Sequence, residues 1–122
     1  MRIRMMLAGV AAAGLMAFPA MALDGQFGPQ LREMLSEAAE GSCNEALMAP
    51  GLLSACQGQI GSMAEGLRSL GVIESMTFVS AEDTPNGRVE TWSVKFAGGQ
   101  TLNWFIGQQQ PDGKFSAAGT GG

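Results

Sequence analysis

Residues 88 to 108 read RVETWSVKFAGGQTLNWFIGQ, and the alternation inside this stretch decides the fold. Trp92, Val94 and Phe96 take every second position of one arm; Leu102, Trp104 and Ile106 do so on the other. A period of two marks a strand with one buried face, so the stretch reads as a β-hairpin. Burial then chooses the register. A two-residue Gly98-Gly99 turn pairs Phe96 with Thr101 and Lys95 with Leu102, mixing apolar and polar side chains on each face. A three-residue loop, Ala97-Gly98-Gly99, pairs Val94 with Leu102 and Trp92 with Trp104 and keeps one face wholly apolar. A slip of one residue turns every side chain over, so the three-residue loop is expected, with Gly99 in the left-handed conformation.

Strand patterns flank the hairpin. VIESMTFVS, residues 72 to 80, places Val72, Met76 and Phe78 on one face and reads as a first strand. AEDTPNG follows as a loop, with Asn86-Gly87 as its turn signal and Pro85 before it. Beyond the hairpin, QQQPDG turns the chain into a short strand, Lys114 to Ala118. Phe115 joins the apolar face if it pairs opposite Ile106. The tail, residues 119 to 122 (GTGG), is expected to be disordered.

Helical spacing governs the other half. In LDGQFGPQLREMLSEAAEG, Phe27, Leu31, Met34, Leu35 and Ala38 form one apolar side, and Glu33, Glu37 and Glu40 the opposite one. Pro29 suits the first turn of this helix and Gly41 its end. Ser42 and Glu45 have the spacing of a capping box, which predicts a short helical turn reaching Met48. A second helix runs from about Pro50 to Leu70, with Cys56, Ile60, Met63, Leu67 and Leu70 as its stripe. Gly58, Gly61 and Gly66 interrupt it: either they let the helix approach the sheet, or they only weaken it, by up to about 1 kcal/mol each relative to alanine. The expected fold is α+β, two N-terminal helices packed on a four-stranded antiparallel sheet.

Residues 1 to 22 read as a secretion signal: Arg2 and Arg4, an apolar run from Met5 to Phe18, and Ala20-Met21-Ala22 as a small-x-small cleavage site. The run is about 14 residues, against roughly 20 for a membrane span. No cysteine for lipidation stands at the junction. The expectation is therefore a periplasmic or secreted protein with one domain, residues 23 to 118. Without Arg2 and Arg4, five of the seven basic residues remain against eleven acids, a net charge near −6. An acidic chain without a basic run does not suit nucleic acid or anionic lipid.

The chain has two cysteines, Cys43 and Cys56. In an oxidising compartment they should form a structural disulfide, worth roughly 3 kcal/mol for a loop of this length. A redox pair would be closer, as C-x-x-C, with an activating base. Met34, Met48, Met63 and Met76 stand at least 13 residues apart in sequence and are read as core filling, since a copper site would cluster its thioethers.

The run from Leu70 to Phe115 resembles a cystatin-like or NTF2-like α+β module of exported bacterial proteins. The resemblance lies in the Leu70-Gly71 helix end, the Ser75-Met76-Thr77-Phe78 strand, and a polar loop with glycine. It extends to a W-S-V-K-F strand meeting glycine, and to the strand from Trp104 to Ile106 followed by Pro111-Asp112-Gly113-Lys114. Such modules occur alone or appended to serine-hydrolase domains of the β-lactamase type, with roles mostly unassigned. The motifs are turn glycines and core alternation, which speak to fold rather than activity. The cysteine pair and the glycine-rich helix have no counterpart among them.

Chemistry is sparse. With no His and no Tyr, Ser-His-Asp, Cys-His and His-metal sites are excluded, along with the commonest general base. Neither a cofactor nor a metal is expected. Glu82-Asp83 reads as a solvated loop, since calcium wants more oxygens with regular spacing. Glu74 and Glu90 share the parity of the apolar residues near strand ends; both are expected at the exposed sheet margin, the alternative being a buried carboxylate with a raised pKa. Trp92 and Trp104 are expected as core beneath the helices, or, if left uncovered, as the lining of an apolar pocket. Phe105 has the opposite parity and is a candidate contact on the open sheet face.

Three function classes follow. The first is an exported, non-catalytic binding or interaction module that uses a sheet face or an apolar pocket, its partner an envelope protein or small apolar ligand. The second is a carrier for a small apolar ligand. The third, an isomerase or dehydratase of the NTF2-like type, suffers from the absence of His and Tyr.

Overall fold

The structure, a computed structural model, describes residues 25–120. The expected secretion signal and the last two glycines of the expected tail lie outside the described residues. Helix α1 spans Gly28–Ala39 and α2 spans Pro50–Leu70. Strands β1 (Ile73–Thr84), β2 (Gly87–Phe96), β3 (Thr101–Gln109) and β4 (Phe115–Thr120) follow. They form one antiparallel sheet in the order β1-β2-β3-β4. The fold is α+β, two N-terminal helices on a four-stranded antiparallel sheet.

The hairpin takes the register that burial demands. Val94 stands opposite Leu102 and Trp92 opposite Trp104. Phe96 N–H donates to the Gln100 carbonyl, which closes the loop around Ala97, Gly98 and Gly99, with Gly99 at φ +101°. Val94, Phe96, Trp104 and Ile106 are buried. The helices therefore cover the face that carries both tryptophans. The loop is also docked: Gly98 N–H donates to the Leu70 carbonyl at 2.9 Å and Ala97 N–H to that of Val72 at 2.8 Å, joining the hairpin tip to the end of α2.

Helix α1 buries Leu31, Met34, Leu35 and Ala38. Gly41, at φ +91°, ends it in a Schellman arrangement, with Gly41 N–H donating to the Ala38 carbonyl and Ser42 N–H to that of Glu37. The following turn, Glu45 to Leu47, is not capped by Ser42 as the spacing suggests. Asn44 caps it instead: its Oδ1 accepts Ala46 N–H at 2.9 Å and Leu47 N–H at 3.0 Å. The Asn44 amide in turn donates to Glu37 Oε2 at 3.1 Å. One carbonyl thus serves two N–H groups, while its amide ties the turn back to α1.

Four strand ends differ from expectation. Strand β1 begins at Ile73, which leaves Val72, expected on its apolar face, outside the strand and 76% exposed. Strand β1 runs to Thr84, so Ala81, Glu82 and Asp83 are strand, and only Pro85 and Asn86 turn the chain. The cause is a bulge at Val79: Phe78 pairs with Trp92 and Ser80 with Thr91. This extra residue shifts the alternation and disguises the strand's second half. Strand β4 begins at Phe115 and reaches Thr120, so Gly119 and Thr120, expected in the disordered tail, are paired with Phe105 and Trp104. Ile106 faces Ala118, whereas Phe115 faces Gln109. Phe115 is nevertheless fully buried. Its ring meets Phe27 edge to face at 4.9 Å, and its backbone bridges the segment before α2, donating to Leu47 and accepting from Ala49.

The disulfide Cys43–Cys56 is present, its Cα atoms 6.1 Å apart. It fastens the inter-helix segment to the second turn of α2. Cys56, Ala64 and Leu67 are the buried residues of that helix; Ile60, Met63 and Leu70 are half-buried beside them. Gly58, Gly61 and Gly66 would meet nothing within 4 Å if a Cβ were added. They do not bring the helix close to the sheet. Their effect is to weaken it.

Candidate functional site

Two features stand out: a buried carboxylate and an apolar pocket. The carboxylate is Glu90, the sole charged residue in the core among the described residues, with no exposed surface. Arg88, Glu90 and Trp92 alternate along β2, and residues two apart share a face. Arg88 Nε donates to Glu90 Oε2 at 2.9 Å, and Trp92 Nε1 to Oε1 at 2.9 Å. From the other end of the chain, Gln26 N–H donates to Oε2 at 2.7 Å and Phe27 N–H to Oε1 at 2.9 Å. These backbone donors sit where α1 begins, and α1 has neither a side-chain cap nor an acid in its first turn. Glu90, on the neighbouring strand β2, holds the two residues that lead into the helix and places a negative charge beside its start.

Glu90 thus overturns the expectation of exposure at the sheet margin. Nor is its pKa raised. Burial pushes the carboxyl's pKa up, but the N–H groups of Phe27 and Gln26, the Trp92 indole and Arg88 outweigh it and hold the group below its ordinary 4.5. Each oxygen takes two donors. A carboxylate so engaged is a structural anion rather than a proton acceptor. The sequence signal was the run Arg-x-Glu-x-Trp on one strand face; the backbone half of the cage had none.

Glu74 does lie at the margin, half-exposed, 3.7 Å from Lys95, a contact of the kind that contributes little in water. Glu82 and Asp83 are exposed on β1 rather than in a loop. Among the described residues, no group of three or more His, Cys, Asp or Glu could hold a metal ion. Nor is any described helix long and apolar enough to cross a membrane.

The second feature is a pocket of about 320 Å³ between α1, α2 and the end of the sheet formed by β3 and β4. Helix α1 contributes Met34, α2 contributes Met63, the segment between them Met48, and β3 Trp104. Three methionines far apart in sequence therefore meet around one space. Cys56 lies on its wall, so the disulfide braces one side. The lining has no charged side chain; Gln59 and Thr120 are its polar members. Trp104 is 7% exposed, and its indole N–H has no hydrogen-bond partner in the protein.

The two tryptophans face each other across the hairpin but differ in role. Trp92 does not line the pocket. It is half-buried, spends its N–H on Glu90, and meets Phe78 edge to face at 5.6 Å. Phe105 points to the open face, as its parity predicts, but is half-buried there. Its ring lies over Gly119, where an added Cβ would stand 3.1 Å from it. The sequence could not show that the β3 tryptophan alone borders a pocket, because the space depends on how two helices splay over the sheet.

No protein-family model matches the chain, no curated protein matches it in sequence, and no solved structure matches it in fold.

Proposed function

We propose that this chain is an exported, non-catalytic binding module whose site is the pocket at Trp104, and that it takes up a small apolar ligand there. The observation that carries this reading is the pairing of an uncharged, methionine-rich lining with a buried indole N–H that no protein group satisfies. Pockets for small molecules are concave and largely apolar, with a few placed polar groups, and about 320 Å³ lies at the lower end of their range. Methionine suits such a lining because its flexible thioether adapts to the shape of a guest. The saturated hydrogen bonding of Glu90 favours binding over proton-transfer chemistry, as does a sequence without His or Tyr.

Export is part of the proposal. The Cys43–Cys56 disulfide is consistent with an oxidising compartment, periplasmic or external, and fits the reading of residues 1 to 22 as a secretion signal. Kinship with cystatin-like or NTF2-like modules is likewise proposed, on the Leu70–Phe115 resemblance and the two-helix, four-strand architecture.

Thermal melting of residues 23 to 122 against a panel of hydrocarbons, ketones, esters and acyl compounds tests the reading. A ligand present at a hundred times its Kd adds about 2.7 kcal/mol, on the order of 10 °C or more for a domain of this size. Absence of any shift across the panel overturns it. Cross-linking to an envelope protein that is lost on Phe105→Ala would transfer the role to the open sheet face.

A further inference from the structure

We infer that the ligand is an uncharged, mainly hydrocarbon molecule bearing one hydrogen-bond acceptor, a carbonyl or ester oxygen, which the indole N–H of Trp104 receives. This rests on the proposed role of the pocket and narrows it to a chemical class.

Trp104 is a donor without acceptor capacity. Its N–H is closed to water and has no partner in the protein, so it carries the cost of an unmet hydrogen bond. By contrast, Trp92, its neighbour across the hairpin, gives its N–H to Glu90 at 2.9 Å. A pure hydrocarbon would fill the pocket but leave the Trp104 N–H unmet. A molecule with an acceptor would satisfy it. A carboxylate would also satisfy it, but would bring a full charge into a lining without a single cationic side chain, in a chain whose net charge is negative. The chemistry of the wall therefore selects a neutral acceptor over both extremes.

Access follows from the same residues. Met34, Met48 and Met63 line the same pocket as Trp104, and each is an unbranched side chain with three rotatable bonds, so the lining can yield to a guest. A guest's acceptor reaches the covered N–H as this lining shifts. The space, about ten times a water's share of liquid volume, suits a guest of about ten to fifteen heavy atoms.

Three matched probes test the inference: n-butylbenzene, butyrophenone, in which a carbonyl replaces one methylene, and 4-phenylbutanoate. Their affinities are measured by calorimetry on residues 23 to 122 and on Trp104→Phe, which keeps a ring and removes the donor. The expected result is about tenfold tighter binding of butyrophenone than n-butylbenzene to the wild type, from one added hydrogen bond. In Trp104→Phe that preference disappears, and 4-phenylbutanoate binds more weakly than butyrophenone to the wild type. In ¹⁵N-labelled wild type, butyrophenone should move one indole N–H resonance downfield and leave the other in place. That measurement needs no variant to fold. Equal affinity for n-butylbenzene and butyrophenone, or tighter binding of the carboxylate, overturns the inference while leaving the pocket as a binding site. Binding of none of the three removes both.

Discussion

Glu90 accepts the backbone N–H of Phe27 at 2.9 Å across 63 positions of sequence, tying the third residue of the described chain to the second strand of the sheet. Its other oxygen holds Gln26, so one side chain secures the entry to α1. Glu90→Gln retains the size but turns an NH2 group toward donors. We expect a loss of about 3 kcal/mol, read from urea denaturation, because one member of a buried charge network has been neutralised. A loss within 0.5 kcal/mol (roughly the scatter of surface substitutions) would show that the cage is incidental.

The same residue sets a dependence on pH with a definite sign. Its folded pKa lies below the ordinary 4.5. Its contribution is thus complete above the unfolded value and lost as the pH falls through the folded one. Melting temperatures of the wild type should drop on acidification below about pH 4.5, whereas Glu90→Gln, weaker at neutral pH, should lose that part of the slope. Parallel curves for the two proteins would dissociate Glu90 from the acid transition.

Removing the disulfide as Cys43→Ala with Cys56→Ala should cost about 3 kcal/mol, on the order of 15 °C in melting temperature. Because Cys56 also borders the pocket, the double variant should bind butyrophenone less tightly at a temperature where it is still folded. Unchanged affinity would mean that the wall holds its shape without the bridge.

Glycines in α2 and β3 should answer alanine in opposite ways. Gly58, Gly61 and Gly66 have open space around them, so alanine should stabilise by roughly 0.5 to 1 kcal/mol at each. Gly107 has none: a Cβ there would run into the Arg88 carbonyl and Val89 Cα, both backbone atoms that cannot swing aside. Gly107→Ala should destabilise by 2 kcal/mol or more, roughly the range for overpacking. Chemical denaturation of the four single variants gives the comparison.

On the open face, Phe105→Ala should cost about 1 kcal/mol, the worth of a cross-strand aromatic contact, and leave butyrophenone affinity unchanged. A drop in that affinity would connect the two faces of the sheet and weaken the assignment of the ligand to the Trp104 side.

What the sequence disclosed and what it concealed divide along physical lines. Val94, Leu102, Trp92 and Trp104 could be paired in advance because burial penalises the slipped register at every position. Pro50 to Leu70 could be bounded because proline and glycine punctuate helices through their own backbones. The second half of β1 was hidden because the bulge at Val79 breaks the period on which the reading depends. Glu90 was misplaced because half of its donors are backbone N–H groups, which every residue but proline carries. Met34, Met48 and Met63 gave no sign of convergence, since sequence spacing holds no record of how two helices lie across a sheet.

The bulged strand has one more consequence. β1 is the outer member of the sheet and 12 residues long, with Val79 half-exposed along it. Arg32 Nη2 donates to the Ile73 carbonyl at the start of β1, but a sheet edge of that length is a template on which a second chain could add its own strand. The irregularities after Ile73 and after Phe78 put its donors and acceptors out of step with any regular newcomer, and Glu74, Glu82 and Asp83 place negative charge along the same border. Those two irregularities discourage fibre growth from this edge, and straightening β1 by deleting Val79 would invite it.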